Sequence, residues 1–118
     1  MSASGLYFPT LEAFVADYLA ETYRRPLSSN GSTWCPEWWR HPEGIIRLEA
    51  LWRSWEYHRL DPATGISVWL RDHADHHMSV LLASDGPFKG CTPQAHSERP
   101  LEPLPHRRAP AEVFEEGD

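Results

Sequence analysis

Six tryptophans, Trp34, Trp38, Trp39, Trp52, Trp55 and Trp69, fall between positions 34 and 69 of a 118-residue chain, and none lies elsewhere. Rings of this size dominate any interior they enter, and a chain this short closes over only one core. Most of the indoles must therefore share one interior, built from elements short enough to wrap it. With 41% hydrophobic and 24% charged residues, the composition is not that of a disordered, collagen-like or disulfide-scaffold chain.

Hydrophobic spacing around the indoles is helical. Thr10 is a good N-cap, Glu12 suits the positive end of a helix, and Leu11, Phe14, Val15, Tyr18, Leu19 and Thr22 form one stripe. Pro26 stops that helix, and Asn30-Gly31 marks a turn. Pro36 suits the first position of a short turn carrying Trp38 and Trp39, and Pro42 opens a second helix running to about Arg59. Its seam is Ile45, Leu48, Trp52 and Trp55, widened by Ile46 and Leu51. Glu43/Arg47 and Glu49/Arg53 are i,i+4 pairs on its solvated side. Asp61-Pro62-Ala63-Thr64-Gly65 breaks it, and Ser67 is the expected cap of a third helix carrying Val68, Trp69, Leu70 and His73. Met78 to Leu82 fits either a continuation of that helix or a short buried strand, and Phe88 is expected to fold back onto the core.

Beyond Cys91 the character changes. Thr92 to Asp118 holds five of the 11 prolines, few large apolar residues, and three arginines against six acidic residues. Such a segment buries too little to offset its ordering entropy. The expected organisation is a flexible N-terminus (1–6), a single helical domain (7–91) and a Pro-rich, acidic, disordered tail (92–118). The fold class is mainly α: a small bundle of three or four helices around a Trp-rich core. A net charge of −6 supplies no bulk attraction to nucleic acid or an anionic membrane, and no apolar run approaches the ~20 residues of a membrane span. Met1-Ser2-Ala3-Ser4-Gly5 lacks the features of a secretory signal, so a cytoplasmic location is the expectation.

The run Trp34-Cys35-Pro36-Glu37-Trp38-Trp39-x-His41 is followed by Arg47-Leu48-Glu49-Ala50-Leu51-Trp52-Arg53, Asp61-Pro62 and Gly65-Ile66-Ser67-x-Trp69. Then come Arg71-Asp72-His73-Ala74-Asp75-x-His77-Met78 and Gly86-Pro87-Phe88. This ordered series, over roughly 7–91, resembles an actinobacterial domain of unknown function often encoded on plasmids, phages and integrated elements. The resemblance carries no activity, substrate or cofactor with it. His76 departs from the family pattern, which has proline there; a proline at that position implies a break near Asp75 and two short helices instead of one.

Three chemistries fit the remaining polar residues. Zinc takes four N or S donors in a tetrahedron, and Cys35-x5-His41 with His73-x3-His77, or with Cys91 in place of one histidine, supplies them. Asp72 or Asp75 would then orient an imidazole. The competing reading is buried apolar thiols beside hydrogen-bonded core histidines. A metal-dependent hydrolase is the second possibility, with His73, His77 and a third group holding an ion, and Glu37 or Asp72 as base. It lacks the His-Glu-x-x-His signature, and the chain has no nucleophile elbow or phosphate-cradling loop. The third is partner binding. Trp34, Trp38 and Trp39 cannot all point inward from one short turn, so Trp38, Trp39 and Arg40 are candidate contacts for a protein or for single-stranded nucleic acid. This last reading, an accessory interaction module of a mobile element with a structural zinc as its one candidate cofactor, is the principal expectation.

Overall fold

The structure is a computed structural model that describes residues 5–115; the first four and last three residues, including part of the expected flexible N-terminus and the end of the tail, lie outside the described residues. It is helical, with no strands among the described residues beyond two isolated bridges, Leu27 with Ser32 and Thr92 with Ala95. Three helices make the body. Helix α1 spans residues 11–22, α2 is Pro42–His58, and α3 spans residues 65–81. Single 3₁₀ turns at Trp38–Arg40 and Ala111–Phe114 complete the structure.

Helix α1 starts as its sequence dictates, with the Thr10 hydroxyl accepting from the Ala13 amide at 3.1 Å. It then widens into a π segment, Val15–Leu19, before closing at Ala20–Thr22. Phe14, Val15 and Leu19 are buried and Tyr18 is half-buried, whereas Thr22 lies outside the stripe. In α2 the buried seam is Leu48, Leu51, Trp52 and Trp55; Ile45 is half-buried and Ile46 is 68% exposed. Ile46 thus does not widen the seam, because its neighbour Ile45 takes the core-facing angle and successive residues point about 100° apart. The two i,i+4 pairs form on the outer side, Arg47–Glu43 at 2.8 Å and Arg53–Glu49 at 2.9 Å.

Helix α3 begins at Gly65, two residues before the expected cap. Asp61 makes the turn by accepting from the Ala63 and Thr64 amides and the Thr64 hydroxyl. A Cβ at Gly65 would run into the His58 carbonyl oxygen, so only glycine lets the start of α3 press against the end of α2. The helix continues through a π segment, Leu70–Ala74, into Asp75–Leu81. The break expected near Asp75 does not occur, since His76 keeps the backbone amide a proline would remove. Met78 to Leu81 is helix, not strand.

The two π segments flank the place where all three helices meet. Phe14 and Tyr18 of α1 lie 5.8 and 4.9 Å from the Trp55 ring, and Trp69 packs on both at 6.4 and 6.2 Å. Trp69 is fully buried and its indole N–H reaches the Leu51 carbonyl and the Ser54 hydroxyl, each at 3.1 Å. The N-terminal arm is held by a different device. Glu56 is a buried acid. Its two oxygens accept from the Tyr7 and Phe8 amides at 2.8 Å and from Arg59 at 2.9 Å. The Trp52 indole closes the attachment by donating to the Phe8 carbonyl. Burial alone would raise the Glu56 carboxyl, but its hydrogen bonds to Phe8, Tyr7 and Arg59 outweigh that and hold it below its ordinary value.

Two outcomes follow from this packing. Trp69→Ala lowers stability by about 3–5 kcal/mol in denaturant titration, from lost burial and an unfilled void, while Ile46→Ala stays within about 0.5 kcal/mol. Because the folded Glu56 pKa is depressed, its stabilisation is present above the unfolded carboxyl value, near 4.5, and is lost as pH falls through the lower folded value. Glu56→Gln therefore flattens the acid limb of the stability–pH curve and costs about 1–3 kcal/mol at neutral pH.

Candidate metal centre

Away from the aromatic junction, four donor side chains converge from two stretches of chain. Cys35 lies just after the loop that Thr33 ties to the end of α3 through the Leu82 and Ala83 carbonyls. His41 is the N-cap residue of α2. Cys91 follows Gly90, whose φ of +90° turns the chain inward in a conformation other residues rarely adopt. His96 comes after a tight turn in which Thr92 and Ala95 exchange backbone hydrogen bonds.

The donor atoms lie close together. His41 Nε2 is 3.1 Å from His96 Nδ1; Cys35 Sγ is 3.3 Å from His96 Nδ1; Cys91 Sγ is 3.5 Å from His41 Nε2 and 3.8 Å from His96 Nδ1. All four fall within 4.8 Å of one another. A tetrahedral zinc, at ~2.3 Å from sulfur and ~2.0 Å from nitrogen, separates its donors by roughly 3.3–3.8 Å. The observed spacings surround that range.

Each sulfur has a backbone donor beside it, and the His41 ring is held neutral. The Glu37 amide points at Cys35 Sγ and the Ser97 amide at Cys91 Sγ, each at 3.4 Å, so each sulfur receives a backbone donor. Both cysteines are buried and free. Burial pushes the Cys35 thiol up to about 11, the Glu37 amide opposing it and the neighbouring Cys91 thiol adding to it. Burial also lowers His41, as does His96 beside it, against a hydrogen bond to the Pro87 backbone. His41 Nε2 faces the cluster, 3.1 Å from His96 Nδ1 and 3.5 Å from Cys91 Sγ. Phe88, fully buried, packs edge-on against His41 at 4.8 Å and against Trp34 at 5.1 Å, walling the centre with apolar rings.

The structure thus gathers Cys35, His41 and Cys91 and leaves out His73 and His77. His73 stacks beside His58 of α2 at 5.2 Å, and His77 Nδ1 meets the Arg47 guanidinium at 3.0 Å. Sharing a helical face directed both rings at α2, not at the cysteines. The fourth donor, His96, stands in the segment expected to be a disordered tail. Cys91-x4-His96 is one residue shorter than Cys35-x5-His41, and that second Cys–His pair was the available signal.

The short turn before α2 separates its two aromatic rings. Trp38 is buried in the core, while Trp39 is 53% exposed and touches Trp38 edge-on at 5.7 Å. Adjacent residues of a 3₁₀ turn point ~120° apart, so only one of the pair can face inward. Trp38 is therefore removed from the candidate partner contacts. Arg40 is exposed and paired with Glu37 at 2.9 Å.

A domain of unknown function, DUF4913, matches the chain over residues 8–110. The chain belongs to that family. The match passes through all four cluster residues and ends well beyond the boundary expected at Cys91. No curated protein and no solved structure matches the chain. Among the described residues, no helix is long and apolar enough to cross a membrane.

Proposed function

We propose that this DUF4913 domain is a zinc-stapled helical interaction module, with Cys35, His41, Cys91 and His96 as the ligands. The observation that carries the reading is the four-donor geometry, with spacings close to a tetrahedral zinc site and a backbone amide aimed at each sulfur. Four protein ligands leave no position for water, so the metal's role is structural and the hydrolase expectation finds no support in this geometry. The ion would tie the Cys91–His96 turn to the start of α2, where few large apolar side chains are available to hold it. Function then resides in the presented surface, with Trp39 and Arg40 as contacts for a protein or single-stranded nucleic-acid partner. The setting is the cytoplasm of actinobacteria and the plasmids, phages and integrated elements that the sequence resemblance implies.

Protein purified without added metal should contain about one zinc per chain, and cobalt substitution should give the intense visible bands of a tetrahedral thiolate site. His96→Ala and Cys35→Ser should lose that metal and several degrees of melting temperature, whereas His73→Ala and His77→Ala should keep it. Zinc-free protein of unchanged melting temperature, insensitive to both losses, overturns the proposal.

The same reading relocates the boundary of the folded unit. Ending the chain after Glu98 should shift the melting temperature by less than about 2 °C, while ending it after Cys91 should lower it by more than about 5 °C. Equal melting temperatures for the two truncations would show that residues 92–98 contribute nothing.

A further inference from the structure

A surface groove of about 360 Å³ opens between the end of α1 and the end of α3, with Trp34, the chain neighbour of Cys35, in one wall. Buried Leu19 and Met78 form its floor, and half-buried Tyr23, Leu27, Trp34 and Leu82 its walls. Its rim is mainly cationic. Arg24 and Arg25 stand there exposed, Arg24 paired with Glu21, the one acid, at 2.9 Å and Arg25 lying over the Tyr23 ring at 4.1 Å.

The complementary shape and charge occur at the other end of the same chain. From Glu98 to Glu115 every residue is exposed. The 3₁₀ turn Ala111–Phe114 nevertheless carries two large apolar side chains, Val113 at 61% and Phe114 at 79% exposure, bracketed by Glu112 and Glu115. A tail that only needed solubility would not hold an exposed aromatic on an ordered turn between two carboxylates. Pro100, Pro103, Pro105 and Pro110 keep the intervening chain extended, which carries the turn away from its own body and lowers the entropy lost on docking.

We propose that the Ala111–Phe114 turn of one copy docks into this groove on a second copy. Val113 and Phe114 enter the apolar groove, and Glu112 and Glu115 meet Arg24 and Arg25. Reciprocal exchange of two tails gives a closed dimer, since each copy carries both halves of the contact. The contact involves none of the four metal ligands, so it stands or falls independently of the zinc reading.

Sedimentation equilibrium of the full chain, in excess zinc, tests it. The wild-type chain should dimerise with concentration. Phe114→Ala and the pair Arg24→Glu/Arg25→Glu should each weaken the dimer by about tenfold or more, with circular dichroism unchanged because all three positions are exposed. Adding Glu112→Arg/Glu115→Arg to the arginine-reversed chain should restore dimerisation, an effect general destabilisation cannot produce. A wild-type chain that stays monomeric to ~1 mM overturns the proposal, as does a dimer indifferent to Phe114→Ala. So does a monomer whose Phe114 amide is protected from exchange, which would place the tail on its own body.

Discussion

The fold depends on the contact among Phe14, Tyr18, Trp55 and Trp69, because it is where all three helices touch. Three short helices bury little surface singly, and aromatic rings supply the area that leucines would supply in a longer bundle. Rings of this size are also harder to accommodate than leucines. The π segments of α1 and α3 lie at this junction, one containing Tyr18 and the other starting directly after Trp69. Each inserts an extra residue into its turn and so re-aims the side chains around the indoles. Each buried indole N–H that finds a carbonyl or hydroxyl then fixes its ring in one orientation, as Trp52 and Trp69 do.

A metal held at the proposed centre would solve a problem that the aromatic junction leaves open. Residues 84–97 connect the end of α3 to the tail without any helix of their own, and Phe88 is their one fully buried large side chain. Loops that bury so little need another tie, and small domains commonly use a metal or a disulfide for it. Cys35 and Cys91, each receiving an amide and facing two imidazoles, form a set of donors suited to the metal.

Helical periodicity made α2 and the start of α1 legible almost to the residue, though α1 ends at Thr22, short of Pro26, and the Thr10 cap and both α2 ion pairs follow directly from spacing. The misreadings share a cause: each depended on a partner distant in sequence. Glu56 looks like any surface acid until the amides of Tyr7 and Phe8, about 48 residues away, are brought to it. Ile45 and Ile46 are equally apolar, and only the neighbouring helices decide which one is covered. For the candidate site, Cys35, His41 and Cys91 stood out by type, but the i,i+4 pairing of His73 and His77 drew attention to a local pattern. His96 was hidden because proline-rich composition argues against order on average. It says nothing of one turn pinned by a side chain 61 residues away.

The centre and the tail are linked through a single amide. Ser97 donates to Cys91 Sγ at 3.4 Å, and residues 98–115 beyond it are exposed. An ion that draws charge onto that sulfur strengthens the bond, since a thiolate accepts better than a thiol. Loss of the ion would leave the Cys91–His96 turn with its own backbone pair and little else. The point from which the tail departs would then wander relative to α2.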